Sequence, residues 1–215
     1  LGFTAKRTML VAQQLYEGLE IDGMGHVALV TYIRTDSVRV SDDAMFEARS
    51  YINAKYGAAY APKYFNKFKQ KDSSQDAHEA IRPISLEVTP ESLKGKLNKN
   101  LYNIYKLIYD RFVASQMTPA VYNTLNARIE VKGSNGLGYG YSVKGRVLKF
   151  AGYTAVYSEA APAANDEDGA AAQLPDLKEG EILALEKVAY EQKFTKPPMR
   201  YSEASLVKAL EENGI

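Results

Sequence analysis

Lys99–Val131 reads KNLYNIYKLIYDRFVASQMTPAVYNTLNARIEV, and its hydrophobic period changes partway along. Over Lys99–Met117 the apolar residues Leu101, Ile104, Tyr105, Ile108 and Phe112 fall three and four apart, which places them on one face of a helix. Thr118-Pro119 interrupts that pattern. Beyond it Val121, Leu125, Ala127, Ile129 and Val131 lie on one side of an alternating run, the period of a half-covered strand. Helices followed by strands make an α+β chain the expected class.

Upstream of this switch the sequence predicts further helices. Thr4 caps one that runs to about Leu19, with Met9, Leu10, Leu15 and Leu19 as its apolar side. Ser41, followed by Asp42 and Asp43, starts another that ends near Tyr56 and buries Met45, Phe46 and Ile52. Thr89-Pro90-Glu91 is a third start signal. Downstream, YGYSVKG, RVLKFAGY and EILALEKVAY read as strands, separated by the Ala-, Asp- and Pro-rich loop 159–176. Four or five strands make a sheet with open edges, which allow self-association. Ser202 caps a closing helix.

The chain has 215 residues, 46% of them hydrophobic, enough for one large or two small cores. No apolar run approaches the roughly 20 residues of a membrane span. Cysteine is absent, which removes disulfides, thiolate metal sites and cysteine nucleophiles. A net charge of +1 provides no global field for nucleic acid, so any such contact needs local patches. No P-loop and no His-Glu-x-x-His pair occur, and His26 and His78 are the only histidines. Nothing in these patterns points to ATP or to a protein-bound metal.

Two stretches carry enough polar chemistry to matter. VTYIRTDS, Val30–Ser37, joins a tyrosine and an arginine to hydroxyls and a carboxylate. SSQDAHEAIRPIS, Ser73–Ser85, gathers Gln75, Asp76, His78, Glu79 and Arg82. On a helix His78 and Arg82, four apart, share a face with Gln75, a set suited to an anionic oxygen, and Pro83 ends that helix. Each has a plain structural reading as well: a β-strand running into an Asx-type turn, and a histidine that only makes hydrogen bonds. KYFNKFKQK, 63–71, interleaves four lysines with Tyr64, Phe65 and Phe68. It reads either as a phosphate-and-base contact through residues such as Lys67 and Lys69 or as a solvated loop with its aromatics turned inward.

TYIRTDS, then SQDAHEAIRP, QMTPA and FTKPPMRYSEASLVKALEENGI, in this order, resemble the bacterial type IA DNA topoisomerases. Ile33, where topoisomerase III enzymes tend to carry Pro, favours the topoisomerase I branch. The resemblance covers nearly the whole chain apart from 159–176 and an apparent insert at Ile21–His26. It implies a helical gate domain over 1–118, a partial antiparallel β arch over 119–193, and the start of a helical DNA-binding domain at 194–215. It implies a central piece of a longer cytoplasmic, nucleoid-associated enzyme, with no Toprim domain and hence without the Mg²⁺ site, and inactive by itself. Its partners would be single-stranded DNA and the remaining domains of the same chain.

By the same resemblance Tyr32 is the nucleophile that forms a 5′-phosphotyrosyl bond, relaxing negative supercoils without ATP. A tyrosine of ordinary pKa about 10 costs roughly 4 kcal/mol to ionise at pH 7, so such a site must take up the proton or lower that cost. Arg34 would hold the scissile phosphate, and His78 would support DNA binding and cleavage. Arg82, Lys67 and Lys69 are expected DNA contacts, while Thr35 and Ser37 are supporting groups. The alternative is a non-catalytic module that binds single-stranded nucleic acid through 63–71.

Overall fold

A computed structural model describes residues 1–34, 37–68, 78–157, 177–195 and 197–214. Two compact units emerge. One comprises Leu1–Val121 with Phe150–Ala160, the other Tyr122–Lys149 with Ala161–Ile215.

Helices α1 (Ala5–Glu17), α2 (Asp42–Tyr56) and α3 (Lys99–Ser115) frame the first unit, with a small antiparallel pair, β1 (Leu19–Ile21) and β2 (Gly25–Val27). The Thr4 hydroxyl accepts from the Arg7 N–H, and the Asn98 side chain accepts from the N–H groups of Asn100 and Leu101, satisfying donors that a helix start leaves open. Ser41 is the N-cap residue of α2 but makes no side-chain cap bond. α1 packs on α3, and Leu15, Ala48, Ile52, Leu93, Tyr105 and Val113 are fully enclosed in one core cluster.

Several boundaries and faces differ from the sequence reading. α1 ends at Glu17, two residues early, because Gly18 takes a left-handed φ of +101° there. Its buried stripe is Val11, Ala12 and Leu15, whereas Met9 and Leu10 face outward. On α2, Met45, Ala48 and Ile52 repeat at helical spacing toward the core. Phe46 sits one step round the helix, is exposed, and meets Phe65 edge-on at 4.8 Å. Thr89-Pro90-Glu91 yields only a single 3-10 turn, Glu91–Leu93, closed by Lys94 in extended backbone and Gly95 at φ +84°.

Tyr105 and Tyr109 turn their hydroxyls sideways into the chain that crosses α3. Tyr105 donates to Val88 O at 2.5 Å and Tyr109 to Leu86 O at 2.8 Å. Glu47 accepts from the Leu86 N–H at 2.8 Å. Residues 86–88 are therefore fixed from two helices, which matters for the segment just before them.

β3 (Val121–Lys132) and β4 (Gly138–Phe150) form a hairpin that leaves the first unit at Val121 and re-enters it at Phe150. YGYSVKG and RVLKF, expected as separate strands, belong to the one strand β4. Leu125, Ala127, Ile129 and Val131 are half-buried between exposed neighbours, so the predicted alternation of β3 holds from Leu125 onward, whereas Val121, expected on the same side, is exposed. At the hairpin's root Gly152 adopts φ +50°, and a Cβ there would lie 2.4 Å from Pro119 O, so only glycine fits. The Tyr153 N–H donates to Thr118 O at 2.9 Å, and the Thr118 N–H donates to Tyr60 O at 2.9 Å.

EILALEKVAY departs from expectation: it forms no strand, and Ile182 and Tyr190 are almost fully exposed. Its β pattern has no pairing partner among the described residues, and an extended segment without a ladder gains nothing from its propensity. α4 (Glu203–Glu212) follows, with Ser202 and Ser205 exchanging bonds in a capping box. Loop 159–176 lies outside the described residues. None of the described helices is long and apolar enough to cross a membrane.

Candidate active site

Tyr32 stands on an extended segment anchored by its neighbours. Leu29, Val30 and Ile33 are buried, and the Leu29 N–H donates to Leu15 O at 2.8 Å. Tyr32 itself remains 41% exposed. The backbone is thus fixed from below while the phenol reaches solvent.

The second polar stretch runs beside it. Val30 pairs with Pro83 in an isolated antiparallel bridge. The Thr31 N–H donates to Arg82 O at 2.9 Å, and the Ile84 N–H to Leu29 O at 3.0 Å. The Thr31 hydroxyl donates to Ala80 O at 2.9 Å and accepts from the Arg82 N–H at 2.9 Å. On the far side the Ala80 N–H donates to Arg39 O at 2.7 Å. Residues 78–84 therefore lie between two segments, clasped to both.

This geometry corrects the helix expected at His78–Arg82. The segment is not helical but irregular, with a single bridge residue at Pro83, and His78 and Arg82 do not share a helical face. Its backbone groups are taken by Leu29, Thr31 and Arg39, so tertiary pairing overrides the local spacing. Pro83 consequently ends no helix. Having no N–H, it fits at an isolated bridge where it need donate nothing.

The clasp brings His78 to Tyr32, with ring centroids 5.4 Å apart and planes tilted by 46°. Tyr16, on the last turn of α1, lies 5.3 Å from the Tyr32 ring with a tilt of 59°. The Arg34 guanidinium carbon is 6.0 Å from the Tyr32 ring centroid, and Arg34 is exposed. An exposed phenol thus sits beside an imidazole and a guanidinium. That set can offer a nucleophilic oxygen, a group able to exchange protons, and a forked cation for a phosphate.

Arg82 is placed differently. Its Nε and Nη2 donate to Glu79 Oε2 at 3.1 and 2.9 Å, and Nη1 donates to Pro83 O at 3.0 Å. Ser37 is buried, and its hydroxyl accepts from the Arg39 N–H at 3.2 Å. Lys67 is exposed and lines a pocket with Arg39 and Phe68. Thr35, Asp36, Lys69, Gln75 and Asp76 lie outside the described residues. Among the described residues no three histidine or acidic side chains converge as a metal site.

Two members of this constellation were missed in the sequence. Tyr16 looked like one more residue of an amphipathic helix, and Thr31 like one more strand former. Each acquires its place through the fold, Tyr16 because α1 ends at the β1–β2 pair leading to Tyr32, and Thr31 because its hydroxyl is the clasp.

A family model described as DNA topoisomerase matches residues 1–215. The solved structure of full-length topoisomerase I from Thermotoga maritima is similar, with 34% sequence identity and a TM-score of 0.70. That match covers 100% of this chain and 32% of the Thermotoga chain, so this chain spans about a third of its relative's length.

Proposed function

The chain belongs to the bacterial type IA DNA topoisomerase family, and on that premise we propose that it is the nucleophile-bearing part of a longer topoisomerase I. Tyr32 Oη attacks a phosphorus in single-stranded DNA. A new bond from Oη to phosphorus forms, the bond from phosphorus to the 3′-oxygen breaks, and the 3′-oxygen leaves as a hydroxyl after taking up a proton. The phenolic proton passes to an acceptor near Oη, and reversal rejoins the strand. One phosphodiester is exchanged for another, so the cycle runs without ATP. Passage of the other strand through the gap relaxes negative supercoils.

The observation that carries this reading is an exposed Tyr32 held between Tyr16 and His78, with Arg34 beside it, on backbone clasped by Thr31. Arg34 pairs with the scissile phosphate and stabilises charge in the transition state; losing one such donor costs about 3–4 kcal/mol. His78 orients the phosphate or exchanges a proton near it. Arg82 serves first as a strut for 78–83 and reaches DNA only through donors that Glu79 and Pro83 leave over, since a guanidinium has five. Lys67 and Lys69 add phosphate contacts.

In this reading residues 1–118 form the moving gate, 119–193 part of an arch, and 194–215 the beginning of a DNA-binding domain. Mg²⁺ is held elsewhere in the longer protein, whose remaining domains and single-stranded DNA are the partners, in the cytoplasm at the nucleoid. The 215 residues alone are expected not to relax plasmid.

The test places this segment in a full-length enzyme and follows both plasmid relaxation and the covalent DNA adduct. Tyr32→Phe should abolish both, and Arg34→Ala should slow adduct formation by about 100- to 1,000-fold. A Tyr32→Phe enzyme that still forms the adduct would remove Tyr32 from its role. DNA binding through Tyr64, Phe68 and the nearby lysines with no adduct from the unaltered chain would instead favour the non-catalytic module; Tyr64 and Phe68 are both exposed.

A further inference from the structure

A pocket of about 470 Å³ opens beside the clasp, lined by Arg39, Asp42, Asn66, Lys67 and Phe68 among others. Its position relative to Tyr32 follows from the hydrogen bonds. The Ala80 N–H donates to Arg39 O, and Ala80 O accepts from the Thr31 hydroxyl. Arg39 and Thr31 are therefore both bonded to Ala80, one on each side of it. Pocket and Tyr32 belong to the same compact unit.

The lining is suited to one class of ligand. Arg39 and Lys67 are exposed and form no ion pair among the described residues, so two cations of the lining are open to a ligand's phosphate. Phe68 is 48% exposed and presents ring surface. Asn66 is tied down, its Nδ2 donating to Ser115 O and Met117 O, so the wall that carries Lys67 and Phe68 is anchored to the end of α3. Asp42, in the first turn of α2, adds a carboxylate to the same lining. A carboxylate is the acceptor that an amino group on a base edge requires. Cations for a phosphate, a ring for a base and a carboxylate for its amino group describe one nucleotide, and the volume falls within the range of small-ligand sites.

We infer that this pocket holds one nucleotide of the cleaved strand, on the 3′ side of the break. The inference rests on the reading of Tyr32 as nucleophile. A 5′-phosphotyrosyl bond leaves the downstream piece of DNA attached to this unit, so a second grip in the same unit keeps that piece aligned for rejoining.

The experiment uses the full-length enzyme carrying this segment, with Tyr32→Phe so that binding is read without chemistry. Single-stranded oligonucleotides carrying one abasic residue, moved position by position across the mapped cleavage site, are titrated against it. One abasic position on the 3′ side should weaken binding by about 5- to 150-fold, the range of a lost base stack. Phe68→Ala should weaken binding of intact DNA to the same degree and make that abasic position neutral. Arg39→Ala with Lys67→Ala should flatten the slope of log affinity against log salt by about 1.4, the share of two phosphates on a single strand.

The inference is overturned if Phe68→Ala changes affinity by less than about twofold, if abasic sensitivity persists unchanged in that variant, or if the sensitive position lies on the 5′ side. All three side chains are exposed, so these variants leave the core intact. Adduct formation by Tyr32→Phe, followed separately, would defeat the nucleophile reading while leaving the abasic map to judge the pocket.

Discussion

The two compact units differ in what holds them. Every hydrophobic residue in the buried set, from Val11 to Met117, belongs to the first unit. The second contributes none among the described residues, while Ile182, Leu185, Val188 and Tyr190 stand open to solvent. Helices on three sides can enclose a core, but a two-stranded hairpin has two faces and nothing of its own to cover them. The contrast teaches that the candidate chemistry rides on the part of the chain that is internally satisfied.

The largest expected effect that could break this contrast is in the core. Leu15 is fully enclosed and its carbonyl accepts from the Leu29 N–H. Leu15→Ala should cost about 2–5 kcal/mol in thermal unfolding of this chain. A loss below about 1 kcal/mol would mean that the first unit is no better packed than the second.

Alkaline pH probes the same enclosure without mutation. Burial pushes the phenols of Tyr105 and Tyr109 up from their ordinary value, with a hydrogen bond between Tyr109 and Tyr51 adding to the rise at Tyr109. A raised folded-state pKa means full stability below about pH 10, where unfolded tyrosine is still neutral. Above that the unfolded chain releases protons that the folded one retains, so stability falls as pH rises. Tyrosinate absorbance should show these two phenols ionising together with loss of helical circular dichroism. Smooth titration of every tyrosine with the helices intact would contradict it.

A single hydroxyl comes next. Tyr109→Phe removes the donor to Leu86 O and should cost about 1–3 kcal/mol, since the carbonyl is left without its partner. Chemical denaturation would register this as a lower midpoint with an unchanged slope. The smallest effect belongs to the second unit, where Ile182→Ser should stay within about 0.5 kcal/mol, the usual limit for an exposed site. A larger loss would show that Ile182 is packed in solution.

How much of this was legible in advance depends on whether a residue's role is local. α3 and its stripe were readable, because Leu101, Ile104, Tyr105 and Phe112 repeat at the helical period and Asn98 caps them. The alternation of β3 was readable for the same reason. Phe46 was not, because periodicity tells which residues share a face and not which face finds a partner. EILALEKVAY carries a sound strand pattern, yet a strand is a pairwise object and a pattern cannot name its neighbour. At the candidate site, Tyr32, Arg34 and His78 were singled out from motif order, and the structure brings all three together. The non-helical form of 78–84 was hidden because Thr31 and Arg39, which impose it, are about 50 and 40 residues away in sequence.

The root of the hairpin has a mechanical consequence. The chain departs beyond Pro119 and returns through Gly152, where Thr118 O accepts from the Tyr153 N–H and no Cβ could fit. A pull on either strand of the hairpin is therefore loaded first onto this staple, and through the Thr118 N–H onto Tyr60. The clasp at Thr31 is made with Ala80 and Arg82, a set of bonds separate from those that tie Thr118 to Tyr153 and Tyr60.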